Sequence, residues 1–242
     1  MIRPVQVAFF DLGNTLMYDR ESWETFYRRA DEALWKSLHA LGIRSAPAEI
    51  YGAHETVFHY YYDLRQAELD EPGILNVFSG LLEKHGLRVP EEGLRAAVRS
   101  MYSVTQANWH LEQDALPMLQ SLRERGLRLG IISNGADDEN TQTLIDREKL
   151  RPHFDFIISS AAHGKRKPHP AIFRSALDHF QVPAGQTVMI GDTYDADILG
   201  AHGVGMQSVW FTGRVRERVV PGEIQPDAIV SRLGEIPALL SP

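Results

Sequence analysis

Four short polar stretches, far apart in the chain, carry residue types able to do chemistry together. Asp11 and Thr15 follow the apolar run Val7-Ala8-Phe9-Phe10, and Ser133-Asn134-Gly135 follows Leu129-Gly130-Ile131-Ile132. Lys167-Pro168-His169-Pro170 comes after the apolar residues around Ile157, and Gly191-Asp192-Thr193 is followed closely by Asp195 and Asp197. A carboxylate can attack phosphorus only when the charge on the phosphoryl oxygens is neutralised. Magnesium, which prefers carboxylate and carbonyl oxygens, does this well. Asp11 is then the nucleophile, Asp11 and Asp192 are anionic ligands for Mg2+, and Asp197 or Asp195 gives outer support. Thr15, Ser133 and the amides of Asn134 and Gly135 are candidates to hold the remaining oxygens, while Lys167 supplies a fixed positive charge as negative charge develops. Singly, each stretch has a plainer explanation: a Ser-Asn-Gly turn, a surface lysine, an acid in the first turn of a helix.

What turns four loops into one site is the arrangement of strands before them. Val7 to Phe10, short and apolar, predicts a strand covered on both faces, broken by a turn at Gly13 and Asn14. From Leu116 the pattern alternates: a helix to Arg125, a strand Leu127 to Ser133, a helix around Leu144, a strand Phe156 to Ser159, a helix from Ala171 to Phe180, and a strand Thr187 to Gly191. A helix holding Ile198 and Leu199, a strand Ser208 to Phe211 and a last edge strand Ala228 to Val230 complete it. Such alternation implies a parallel sheet with right-handed crossovers, whose carboxyl-terminal strand ends converge on one edge.

Between the first strand and the rest lies a block of about ninety residues with helical spacing and no expected strands. Trp23, Phe26, Tyr27, Ala30, Leu34, Leu38 and Leu41 share one face before Gly42; Ile50, His54, Val57, Phe58 and Tyr61 repeat the spacing; so do Ile74 to Leu82 before Gly86, and Leu94 to Tyr102 after Pro90. The expected division is an α/β core of residues 1–16 and 111–242 with an all-helical insertion at 17–110. Aromatics from Phe58 to Tyr62, with His54 and His59, are expected to pack between the inserted helices, and Trp109 and His110 lie near the return to the core.

Composition narrows the classes. A 43% hydrophobic chain can bury a large core, and a net charge of -7 with no basic stripe argues against a nucleic-acid surface. Acidic balance does not exclude a phosphate ligand, because a bound divalent cation inverts the local field. With no cysteine, disulfides, thiolate catalysis and Cys-ligated zinc are out. No signal-peptide core precedes the first strand and no apolar run is long enough to span a bilayer, so a cytoplasmic protein with no membrane partner is expected. Gly200 to Gly205 comes after a helix and before a strand, the reverse of what a dinucleotide loop needs, and no Gly-x-Ser-x-Gly elbow is present.

Taken in order, the four motifs resemble those of the haloacid dehalogenase superfamily of hydrolases. Asp11 to Thr15 is similar to its first motif, Ser133 to its second, Lys167 in Lys-Pro-His-Pro-Ala-Ile-Phe to its third, and Gly191-Asp192 through Asp197 to its fourth. The resemblance covers nearly the whole chain, the helical cap included. It implies a Rossmann-like parallel sheet, an aspartyl-phosphate formed on Asp11, and magnesium held by Asp192, Asp11 and the backbone carbonyl of Gly13.

Gly13 is a departure. Phosphatases of this superfamily usually carry a second aspartate there, which protonates the leaving group; general acid–base help of that kind is typically worth about 10²- to 10⁴-fold. Three explanations compete: a substrate with a good leaving group, a replacement acid from the cap or from nearby Asp19 or Tyr18, or an activity that never needed the second carboxylate. The leading expectation is a magnesium-dependent phosphatase of a small phosphorylated metabolite. The alternatives are carbon–halogen hydrolysis, a phosphonate hydrolase with Lys36 or Lys84 as Schiff base, and a non-catalytic protein that binds a phosphorylated ligand.

Overall fold

A computed structural model describes residues 2–21, 23–43, 69–215 and 224–240. Six strands form one parallel sheet in the order β5-β4-β1-β6-β7-β8: β1 Val7–Phe10, β4 Arg128–Ser133, β5 Phe156–Ser159, β6 Thr187–Gly191, β7 Gln207–Phe211 and β8 Ala228–Val230. The sheet is the expected Rossmann-like α/β arrangement. All four β1 residues are fully buried because both faces are covered, and the pleat sorts them. Ala8 and Phe10 join the cluster formed with α4 (Ala115–Glu124) and α5 (Asp138–Arg147); Val7 and Phe9 join the one formed with α7 (Pro170–Phe180) and α8 (Gly200–Gly203). In register, Phe10 pairs with Ile131 on one side and Ile190 on the other, so the residues that follow all three strands emerge together.

The insertion is built on α1 (Trp23–Ala40), α2 (Ile74–Lys84) and α3 (Glu91–Gln106). Gly42 and Gly86 take positive φ after α1 and α2, and Pro90 precedes α3, as the sequence predicts. The helical faces close on a core of their own, in which Leu34, Trp35 and Leu38 meet Ile74, Phe78, Leu94, Val98 and Met101. The expected helix around Ile50 to Tyr61, with His54, His59 and the aromatic run, lies outside the described residues. Among the described residues no helix is long and apolar enough to cross a membrane.

A strandless insertion is corrected at its two ends. Met17–Asp19 (β2) and Trp109–Leu111 (β3) pair antiparallel, Met17 with Leu111, Tyr18 with His110 and Asp19 with Trp109. Buried Asn108 locks this ribbon, accepting from the amides of Arg20 and Glu21 at 3.2 and 2.8 Å and donating to the Glu21 carbonyl. The chain thus leaves and re-enters the core through a two-stranded neck. A second attachment forms where residues 69–74 meet the loops after β4 and β5: Arg166 donates to the Leu69 carbonyl, Glu71 to the Gly164 carbonyl and Ile74 to the Ala136 carbonyl. In the same place Ser160, which opens the short helix α6 (Ser160–His163), donates to the buried Glu71 carboxylate at 2.7 Å.

Candidate active site

Asp11 is the first residue past β1, and its amide donates to the Ile190 carbonyl, so the backbone there is still held by β6. Beyond it the chain turns sharply: the amides of Leu16 and Met17 both donate to the Leu12 carbonyl, and Asn14 takes a left-handed φ of 54°, which a short polar side chain tolerates. Thr15 is fully buried in this turn, with Oγ1 3.5 Å from Asp192 Oδ1.

Lys167 lies at the centre. Only 2% exposed, it donates from Nζ to Asp11 Oδ1 at 2.7 Å and to Asp197 Oδ1 at 2.6 Å. Its backbone is clamped by Asn134, whose Oδ1 accepts from the Lys167 amide at 2.8 Å and whose Nδ2 donates to the Lys167 carbonyl at 3.0 Å. Just beyond, His169 Nδ1 accepts from the Ala171 amide and Pro170 occupies the first turn of α7, which fixes where the lysine loop ends. A cation with this little access to water is stable only because two carboxylates meet it. Burial alone would lower its pKa, but Asp11 and Asp197 outweigh burial and raise it.

Asp197 reaches the lysine from a π-helical turn, Tyr194–Leu199. Its second oxygen accepts from the Thr193 amide at 3.0 Å. Gly191 permits this approach: a β-carbon there would fall 2.2 Å from the Asp197 carboxyl carbon. Asp192, partly exposed, has its backbone carbonyl fixed by the Trp210 indole N–H at 2.7 Å. One oxygen from each of Asp11, Asp192 and Asp197 lies within 4.8 Å of the others. Burial, then the charges of Asp11 and Asp197, push the Asp192 carboxyl up to about 8. Burial also pushes Asp197 up to about 6, against the pull of Lys167.

These observations sort the predicted residues. Asp11, Thr15, Lys167, Asp192 and Asp197 meet at one edge of the sheet, and Ser133 ends β4 beside them with its hydroxyl free of partners among the described residues. Of the two amides expected to hold phosphoryl oxygens, that of Gly135 donates to Ser160 Oγ at 3.0 Å, while Asn134 uses its side chain, not its amide, to clamp Lys167. Asp197 has both oxygens engaged by protein donors, so Asp11 and Asp192 retain the capacity for a cation. Asp195 is exposed and outside the carboxylate group. Lys36 and Lys84 are exposed on α1 and α2. Tyr18 lies under Arg214, whose guanidinium carbon is 3.7 Å from the ring centroid. Sequence reasoning missed the Asn134 clamp and the Ser160–Glu71 pair; neither leaves a local signal, since each joins residues distant in the chain.

The residues fit a hard divalent cation. Three carboxylates against one ammonium leave surplus negative charge, which together with burial raises the Asp192 pKa and which a divalent cation would neutralise.

Comparisons agree with this geometry. The sequence matches the haloacid dehalogenase-like hydrolase family over residues 5–205. It is 30% identical over 213 residues to a glyceraldehyde 3-phosphate phosphatase of Pyrococcus abyssi, covering 86% of this chain and 81% of that one. It is 27% identical to a phosphoserine phosphatase of Thermus thermophilus, covering 96% and 98%. A 2-haloacid dehalogenase from Pseudomonas syringae shares the fold with a TM-score of 0.69 at 25% identity, over 97% of both chains. From strand-end carboxylate to buried lysine and π-helical aspartate, the chain belongs to the haloacid dehalogenase-like hydrolases.

Proposed function

We propose that this chain is a magnesium-dependent phosphatase of a small phosphorylated metabolite, with Asp11 as nucleophile. The carrying observation is the Asp11 carboxylate: one oxygen is held by Lys167 at 2.7 Å and the other takes no hydrogen bond among the described residues, so it is oriented yet able to attack. As its bond to phosphorus forms, the ester P–O bond breaks and the leaving oxygen departs with the electron pair, in line with the attack. Water then cleaves the aspartyl-phosphate, returning Asp11 and releasing phosphate. Ser133 Oγ is placed to donate to a phosphoryl oxygen, while Lys167 keeps the nucleophile in position and stabilises negative charge in a water-poor setting. Asp11, Asp192 and the Gly13 carbonyl would hold the magnesium, which supplies charge neutralisation at the phosphoryl oxygens when bound. Asp197 positions the lysine. Residues 17–110 form a cap over a core of 1–16 and 111–242, and the names of the two phosphatase relatives support the substrate class.

Phosphate release by the full chain from a panel of metabolite phosphates, with magnesium and with chelator, tests this. Activity that needs magnesium and disappears in Asp11→Asn is expected; release unaffected by Asp11→Asn would sink it. Carbon–halogen hydrolysis is the second reading, favoured by Gly13 and by likeness to the dehalogenase. Halide release from a short 2-haloacid, independent of magnesium, would put it first.

A further inference from the structure

One contact at the mouth of the site has no part in the scheme above. A β-carbon added to Gly13 would lie 3.3 Å from Cη2 and 3.7 Å from Cζ3 of the Trp109 indole. Gly13 is not in the left-handed region, so its backbone would accept other residues. The indole edge bounds that space closely, and would have to give by a few tenths of an ångström to admit even a β-carbon. Trp109 is held there from both sides: its carbonyl accepts from Arg147 Nη2 at 2.7 Å, and its ring packs against the core cluster that contains Leu12, Leu16 and Met17.

In-line displacement puts the leaving oxygen opposite Asp11. Behind Asp11 is the sheet, so the leaving group points away from the strands; the chain itself runs from Asp11 through Gly13, bridged to Met17, into the neck, and Trp109 of the paired strand reaches back to Gly13. Tyr18 and His110 are paired with each other in the ribbon, one residue out of step with Trp109, and so project from its other face. Asp19, directly opposite Trp109, shares its face.

We infer that Trp109 walls the leaving-group side of the site with a flat apolar surface in the space a residue-13 side chain would take, making Gly13 and Trp109 a joint specificity determinant. This rests on the phosphatase reading and names its substrate class. Without a donor at position 13, the leaving group must depart as a stable anion, and against an indole it does best with a flat body. Aryl and acyl phosphates meet both conditions; alkyl phosphates, the class of the substrates named for the two phosphatase relatives, meet neither, so this chain is set apart from those relatives.

The test is kcat/KM of the full chain with magnesium across para-nitrophenyl, phenyl and alkyl phosphates, in wild type, Gly13→Asp, Trp109→Ala, Trp109→Phe and the Gly13→Asp/Trp109→Ala double variant, each checked for folding by thermal melting. Wild type is expected to lose about 10²- to 10⁴-fold from the best to the worst leaving group, the size of the acid help it lacks. Trp109→Phe keeps that slope. Gly13→Asp alone lowers all rates, whereas the double variant recovers the alkyl ester by about tenfold or more relative to Gly13→Asp. A shallow wild-type slope overturns the inference, and if Asp19→Asn then steepens it, Asp19 is the acid. Gly13→Asp alone flattening the slope as far as the double variant also overturns it, because the indole would then exclude nothing. No turnover of any ester by wild type removes the phosphatase reading itself, and the inference with it.

Discussion

The strand-end site and the junction between insertion and core hold the molecule together by opposite means. At the strand ends, charge is buried: Lys167, Asp11 and Asp197 meet within 2.7 Å, with 1% of the lysine side chain exposed. Where α3 meets α5 across the junction, charge is wet: Arg99 faces Glu139 with 63% of the arginine side chain exposed, and Arg95 beside it, a third exposed, reaches Asp137. Buried groups cannot rearrange without leaving an uncompensated charge, so the first region fixes geometry. Exposed pairs exchange readily with water, so the α3–α5 face adds little rigidity of its own, and the junction is held instead by the Asn108-locked neck and the buried Ser160–Glu71 bond.

The largest expected effect is Lys167→Met. It strands two buried carboxylates and should cost about 3–5 kcal/mol of stability by denaturant unfolding, partly restored by magnesium; a loss no larger than that of a surface substitution would erase the contrast. Next comes pH. The Asp192 carboxyl rises from 3.8 to about 8 on folding, so the folded protein binds the extra proton more tightly than the unfolded chain. That contribution to stability is complete below about pH 4 and is lost as pH rises through about 8, a fall that melting of metal-free protein should register and that added magnesium should reverse. A melting temperature flat across that window would mean that the acidic group does not sense its neighbours.

Asn134→Ala sharpens the comparison from within the site. It removes both side-chain bonds to the Lys167 backbone, and is expected to cost about 1–3 kcal/mol and to lower kcat more than it raises KM. An unchanged kcat would show that Pro170 and α7 alone position the lysine. Least of all should Arg99→Ala matter: thermal midpoints of variant and wild type are expected to coincide within error at ordinary salt. A clear loss there would mean that the junction is as rigid as the core.

Legibility in the sequence follows the same divide. Strands buried on both faces are continuous apolar runs, so the ends at Asp11, Ser133 and Asp192 could be placed from Val7–Phe10, Leu129–Ile132 and Thr187–Gly191. The helices α1, α2 and α3 were legible from their apolar spacing and their glycine and proline boundaries. The neck was not: three residues per strand are too few for alternation to register, and its pairing spans the whole insertion. Nor was the use of Asn134, because Ser133-Asn134-Gly135 is equally good as a turn and only the fold brings Lys167 beside it. Gly13 stood out by type, but its neighbour Trp109 belongs to a strand that the sequence placed merely near a hinge.

The position of β1 between β4 and β6 has a consequence for how the chain is made. The strand that ends at Asp11 leaves the ribosome before both strands that sheathe it, the second of which ends only at Gly191. Until then Val7 to Phe10 is an apolar segment with two open edges, and its pairings are among the longest-range contacts in the fold. Nascent chains stalled before Gly191 should therefore be the species that aggregate or recruit chaperones, while the inserted helices, with a core of their own, are free to assemble during the wait.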